Sequence, residues 1–147
     1  MNNKNIESIV DSLFLLLPLF KKKLLRPDKY DEENDLSPSH LQILFFLDDV
    51  GRVPISEIGK GLNISKPNMT PLIKKLINKK FVEKIRDQED RRYVHVDITP
   101  IGKKFIDEHK LLISQRLKDK LSILNQKDLQ KLSKSLDELK EIISKLD

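Results

Sequence analysis

Between Ser65 and Arg92 the chain carries nine basic residues, at 66, 74, 75, 79, 80, 84, 86, 91 and 92, against four acids, Glu83, Asp87, Glu89 and Asp90. That excess equals the formal net charge of the whole 147-residue chain, +5, so the remaining residues are neutral overall. Ammonium and guanidinium groups at this density suit one kind of chemistry. They hold phosphate oxygens and donate to the O6 and N7 acceptors of guanine. A basic total alone, with a pI of about 9.3, would equally serve solubility. Its concentration in one central segment is the footprint of a nucleic-acid binder.

Other chemistries lack their residues. Cysteine is absent, which removes disulfides, thiolate nucleophiles and thiolate metal sites together. His40, His95 and His109 are scattered without ligand spacing, and a zinc site would have to draw carboxylates from afar. There is no glycine-rich phosphate loop, no Ser-His-Asp set and no paired carboxylates standing out from the surface charge. No metal, no cofactor and no catalysis are expected. The most apolar run, LFLLLPLF at 13–20, is far short of the roughly 20 residues that span a bilayer and has no leader-like flanks. A soluble, cytoplasmic protein is expected.

The basic segment needs elements to aim it. Ile6, Ile9, Val10, Leu13, Phe14, Leu17 and Phe20 recur at three and four, predicting a helix over 6–25 interrupted in character by Pro18. An acidic stretch, DKYDEEND, then leads to Ser37-Pro38, a good N-cap and first helical residue for a helix ending near Gly51. Val53-Pro54-Ile55 reads as an extended link into a short helix over 56–62. Asn63 suits the left-handed turn that follows, and Ser65 can cap the next helix, over 65–79. There Met69, Leu72, Ile73, Leu76 and Ile77 form the inward stripe, leaving an outward face that is basic and free of acids. Strands are predicted over 81–86 and 92–98, joined by a charged turn, with Val94, Val96 and Ile98 on one face. Thr99-Pro100 opens a helix to about 123. The last helix starts near 126 and carries Leu129, Leu132, Leu136, Leu139 and Ile143 at alternating spacings of three and four, a seam suited to a partner helix.

Helix, short helix, tight turn, basic-faced helix and hairpin make a winged helix-turn-helix. The fold class is therefore mainly α with a small β-hairpin wing, flanked by N- and C-terminal helices that a family resemblance implies are dimerisation helices. As one continuous domain, 1–35 would hold the N-terminal dimerisation helix and acidic loop, 36–99 the DNA-binding lobe and 100–147 the C-terminal dimerisation helices. In such units the second helix of the pair enters the major groove and the hairpin reaches backbone or minor groove.

Residues 55–105, and above all Asp90-Arg91-Arg92 followed by a strand, Ile98-Thr99 and Gly102, resemble the MarR family of bacterial transcriptional regulators. The resemblance covers essentially the whole chain. It implies a homodimer, a recognition helix at 65–79 and a wing whose arginine enters the minor groove, with Asp90 bracing the wing. By motif position that arginine is Arg92, whereas strand alternation gives Arg92 the parity of the buried Val94, so Arg91 and Arg92 both stand. The expected DNA-binding set is Ser65, Lys66, Pro67, Asn68, Thr70, Pro71, Lys74, Lys75, Asn78, Arg86, Asp90, Arg91 and Arg92. Lys74 and Lys75 would take phosphates or guanine edges, and Pro67 and Pro71 would offer apolar surface to thymine methyls. Lys80 stands where the family often has glycine, which predicts a strained helix end.

The implied function is sequence-specific control of transcription, as a repressor released by a small-molecule effector. The partners are then double-stranded DNA with a pseudo-palindromic operator, a second copy of the chain, and that effector. Leu13, Phe14, Leu17 and Phe45 are the candidates to line an effector pocket; Ile6, Leu129, Leu132, Leu136, Leu139 and Ile143 are the candidates for dimerisation. The competing reading is a winged-helix module that uses its basic face on an acidic protein and binds no specific DNA.

Overall fold

The computed structural model describes residues 3–24 and 35–146. In chain order they form α1 (Asn3–Lys23), α2 (Pro38–Val50), β1 (Val53–Pro54), α3 (Ile55–Leu62), α4 (Lys66–Asn78), β2 (Val82–Arg86), β3 (Val94–Ile98), α5 (Pro100–Leu121) and α6 (Gln126–Ile143). Residues 28–34 of the acidic stretch and residue 25 of the first predicted helix lie outside the described residues. The chain divides into two compact units, 26–111 and 1–25 with 112–147.

In the unit of residues 26–111, α2 starts where Ser37-Pro38 places it. The Ser37 hydroxyl accepts the His40 N–H at 3.5 Å, and His40 Nδ1 accepts the Ser37 N–H at 2.9 Å. This is a capping box with histidine in the position glutamate usually takes. Ile43, Leu44 and Leu47 of α2, Ile58 of α3, Met69, Ile73 and Leu76 of α4, Val96 of β3 and Ile106 of α5 are fully buried. Those α4 residues belong to the inward stripe read from its periodicity, whose other members, Leu72 and Ile77, are half-buried against the core.

The sheet has three strands, not two, in the order β1-β3-β2. Val53 pairs with Val96 and Pro54 with His95, so the extended link is an edge strand, where a proline is tolerated. The β2–β3 ladder runs from Val82 opposite Ile98 to Arg86 opposite Val94. The second strand thus begins at Val94 instead of 92. Asp90 to Tyr93 close a turn, with the Tyr93 N–H on the Asp90 carbonyl at 3.1 Å, and this removes Arg92 from the strand's alternation.

Two junctions position α4. Asn63 sits at φ 55, ψ 46, and the next amide, Ile64 N–H, donates to Gly59 O at 2.9 Å. A Cβ at Gly59 would come within 2.9 Å of the Ile64 carbonyl oxygen, so only glycine allows this close a turn. At the other end Phe81 N–H donates to Leu76 O and Lys80 N–H to Ile77 O, the paired bonds of a Schellman cap. Lys80 takes the left-handed position at φ 64, where its Cβ is unfavourable, as the sequence predicts. Thr99 locks this end to α5. Its hydroxyl donates to Lys80 O at 2.6 Å and accepts the Gly102 N–H at 3.0 Å. A Cβ at Gly102 would collide with the Phe81 carbonyl oxygen.

In the unit of residues 1–25 with 112–147, α1 runs through Pro18 without a break, and Lys120 Nζ donates to the Lys23 carbonyl at 2.7 Å. Asn125 caps α6, accepting the Asp128 N–H at 2.8 Å. No residue of α1 or α6 is buried in the single chain. No described helix is long and apolar enough to cross a membrane.

Candidate nucleic-acid interface

Ser65 occupies the N-cap of α4 at φ −67, ψ 154, but its side chain makes no capping bond, contrary to the sequence reading. Pro67, at the second helical position, has no N–H to offer, which removes one of the two usual donors for such a cap. Ser65, Lys66, Pro67 and Asn68 are all exposed at this helix start, and Pro71, Lys74 and Asn78 continue the same outward face. Thr70 is exposed too, with its hydroxyl donating to Lys66 O at 3.2 Å. No acid occurs in α4. An outward face with donors, two prolines and no negative charge can approach a phosphate backbone without repulsion.

The two central lysines diverge. Lys74 is exposed, whereas Lys75 is half-buried and donates to Asp35 Oδ2 at 2.8 Å. The Lys75 hydrogen bond holds the Asp35 carboxyl below the usual range. Nothing local in the sequence points to this pair, whose members are 40 residues apart.

At the wing, Asp90 organises the turn. Its Oδ1 accepts the Arg92 backbone N–H at 3.1 Å and the Arg92 Nε–H at 3.0 Å, while its Oδ2 accepts from Arg92 Nη2 at 2.8 Å. The guanidinium is thereby gripped along one edge by a carboxylate. That bond holds the Asp90 carboxyl below its usual value and raises Arg92 further. Arg92 is nonetheless 87% exposed, against 31% for Asp90, so its other donors face outward from a fixed mount. Below it, Asp87 N–H donates to Tyr93 O at 3.1 Å and Asp87 Oδ1 accepts the Glu89 N–H at 3.0 Å. Arg91 is exposed in the same turn, and Arg86 is exposed at the end of β2.

The start of α4 and the wing share one open cleft of about 770 Å³, lined among others by Ser65, Lys66, Thr70 and Arg92. Ser56, Lys60 and Tyr93 line it as well, and the sequence reading did not single them out. Lys60 is the last-turn basic residue of α3. Its place beside the wing follows from β1 joining the sheet, which no local pattern announces. The candidates for an effector pocket belong to different units. Leu13, Phe14 and Leu17 are exposed on α1, and Phe45 is half-buried in α2 with the Lys110 ammonium 5.5 Å from its ring centre. Among the described residues no group of His, Cys, Asp or Glu could hold a metal ion.

Comparison with known proteins agrees with this geometry. A family model described as "MarR family" matches residues 34–92, from the approach to α2 through Arg92. The HTH-type transcriptional regulator SarZ of Staphylococcus haemolyticus is 26% identical over 89 residues, which cover 60% of this chain and 60% of SarZ. The chain thus spans about three fifths of the length of that relative. A MarR family protein from Bacillus stearothermophilus superposes with a TM-score of 0.75 at 15% identity, over 98% of this chain and 99% of the other. FabT of Streptococcus pneumoniae, solved in complex with DNA, superposes with a TM-score of 0.63 at 20% identity, over 99% and 100%. At these identities the two structures establish a shared fold: mostly helical, with a small antiparallel sheet as its wing.

Proposed function

We propose that this chain, whose residues 34–92 match the model described as "MarR family", is a sequence-specific DNA-binding transcriptional regulator acting as a homodimer in the cytoplasm. The family is one of transcription regulators, not enzymes. The observation that carries the reading is the pairing of an acid-free outward face on α4 with an outward-facing Arg92 held by Asp90 on the same cleft. In this reading Ser65, Lys66, Pro67, Asn68, Thr70, Pro71, Lys74 and Asn78 meet the major groove. Arg92 enters the minor groove, and Arg86 and Arg91 meet phosphates. Lys75 joins them by exchanging Asp35 for phosphate.

The homodimer is supported by the exposed apolar residues of α1 and α6, which include Ile6, Leu132, Leu136, Leu139 and Ile143. Monomeric soluble proteins rarely leave contiguous apolar faces of this kind open. A two-fold dimer presents two recognition helices about 34 Å apart, one turn of DNA, and so reads a pseudo-palindrome. As a repressor it would be released by a small molecule, a role for which the apolar character of the candidate residues Leu13, Phe14, Leu17 and Phe45 is the support.

Titration of labelled DNA from the region flanking the protein's own gene, across a salt series, tests the reading. Each phosphate contact should contribute a slope of about −0.9 to log affinity against log salt, and one sequence should be preferred. Flat salt dependence with no preferred sequence would overturn it in favour of a protein-binding winged helix.

A further inference from the structure

One acid with a largely covered side chain lies outside the DNA-facing surface. Asp48, in the last turn of α2, has a side chain only 9% exposed and receives two ammonium groups, Lys103 Nζ on Oδ1 and Lys110 Nζ on Oδ2, each at 2.5 Å. These lysines are seven residues apart, two turns of α5, so they project from one face of that helix. Lys110 also lies 5.5 Å from the ring centre of Phe45, one turn before Asp48 on α2. A second acid, Asp107, stands 3.3 Å from Lys103 and is 53% exposed. Surface ion pairs scatter and exchange with water, but a nearly covered carboxylate holding two lysines is a fixed joint.

The joint's place in the chain gives it a task. Among the described residues α5 is the helix that belongs to both units, 100–111 to one and 112–121 to the other. Its first turn is tied to the end of the recognition helix through Thr99, which bonds Lys80 and Gly102. Lys110 is the last position but one before the boundary. Between them Phe105 stacks on Phe81, with centroids 4.5 Å apart. The helix is thus secured to the DNA-binding unit from its start to its exit.

We propose that Asp48 is a positioning residue for DNA binding: by holding Lys103 and Lys110 it fixes the line along which α5 leaves the DNA-binding unit, and with it the separation of the two recognition helices in a dimer. The inference rests on the proposed binding of two half-sites by a dimer. Asp48 is an acid and makes no phosphate contact, so its effect appears in spacing, not in base preference.

The test measures affinity of the full-length protein for duplexes whose two half-sites are moved apart or together by one or two base pairs, and for a duplex with one half-site. Wild type should show a sharp optimum. In Asp48→Asn, and independently in Lys103→Gln with Lys110→Gln, the preference for that optimum should fall by about fivefold, the worth of a partly covered ion pair. Affinity for the single half-site should be unchanged, and Asp48→Glu should retain most of the preference. Equal loss at every spacing, or an unaltered optimum in both variants, overturns the inference while leaving the dimeric reading intact. A wild type indifferent to spacing overturns the two-site reading and the inference with it.

Discussion

In the unit of residues 26–111, Leu44, Ile58 and Leu76 are wholly covered, whereas in the unit of 1–25 with 112–147 Phe14, Leu15, Leu136 and Leu139 stand 72%, 76%, 47% and 40% exposed. Both units are rich in leucine and isoleucine, yet among the described residues only the first has a buried core. Apolar area left in water forgoes about 25 cal/mol per Å². The second unit therefore leaves in water the apolar surface that the proposed dimer would cover. Its strict seam on α6 is the same pattern that elsewhere faces inward.

The contrast breaks most sharply in the covered core. Leu44→Ala should cost about 2 to 5 kcal/mol of folding stability through the lost transfer energy and the cavity left behind, measured by denaturant unfolding. Leu15→Ala, at a side chain uncovered in the single chain, should change the stability of the isolated monomer by no more than about 0.5 kcal/mol. Leu136→Asp should turn the sedimenting species from dimer to monomer at micromolar concentration; a variant that remains dimeric removes the seam from the interface.

On the DNA-facing side, Arg92→Ala should weaken operator binding by about 1 to 3 kcal/mol with the dimer intact. Arg91→Ala should lower the salt slope by about one contact instead. The reverse outcome would exchange their roles.

His40 makes the stability of the first unit depend on pH. Burial holds its imidazole below its ordinary value, aided by Lys75 and opposed by Asp35. Its Nδ1 accepts the Ser37 N–H and so must be unprotonated. The unfolded chain takes up this proton first, so stability is complete above pH about 6.5 and falls as the pH drops below it. His40→Gln preserves the capping box and should flatten thermal stability between pH 7 and pH 5. Asp48, lowered by its bonds to Lys103 and then Lys110, contributes stability above the unfolded carboxylate value, lost as the pH falls further, below about 4. The smallest effect belongs to Lys80→Gly, which relieves the left-handed Cβ at a cost in chain entropy and should raise stability by about 0.5 kcal/mol.

Much of the fold is legible in the chain itself. Ser37-Pro38 and Asn63 mark helix ends through their local backbone preferences, and Met69, Ile73 and Leu76 mark the inward face of α4 through spacing. Lys80 is legible as a helix end with the wrong residue. At the wing, Asp90-Arg91-Arg92 announces a device, but alternation cannot choose an arginine. The turn bonds of Asp90 take Arg92 out of the strand and onto the carboxylate, and only their geometry shows that Arg92 is the one gripped.

Other features lie beyond any local pattern. Val53 and Pro54 read as part of a link because two residues carry too little alternation to declare a strand; pairing with Val96 and His95 makes them one. Lys75 meets Asp35 across 40 residues, and Asp48 meets Lys103 and Lys110 across 55 and 62. Helix periodicity, caps and charge placement are short-range properties, encoded within a few turns of chain, and they specified the elements, the basic face and the open apolar seam. The distant ion pairs and the third strand depended on how those elements pack, because separation along the chain leaves no signature until the core brings the partners together.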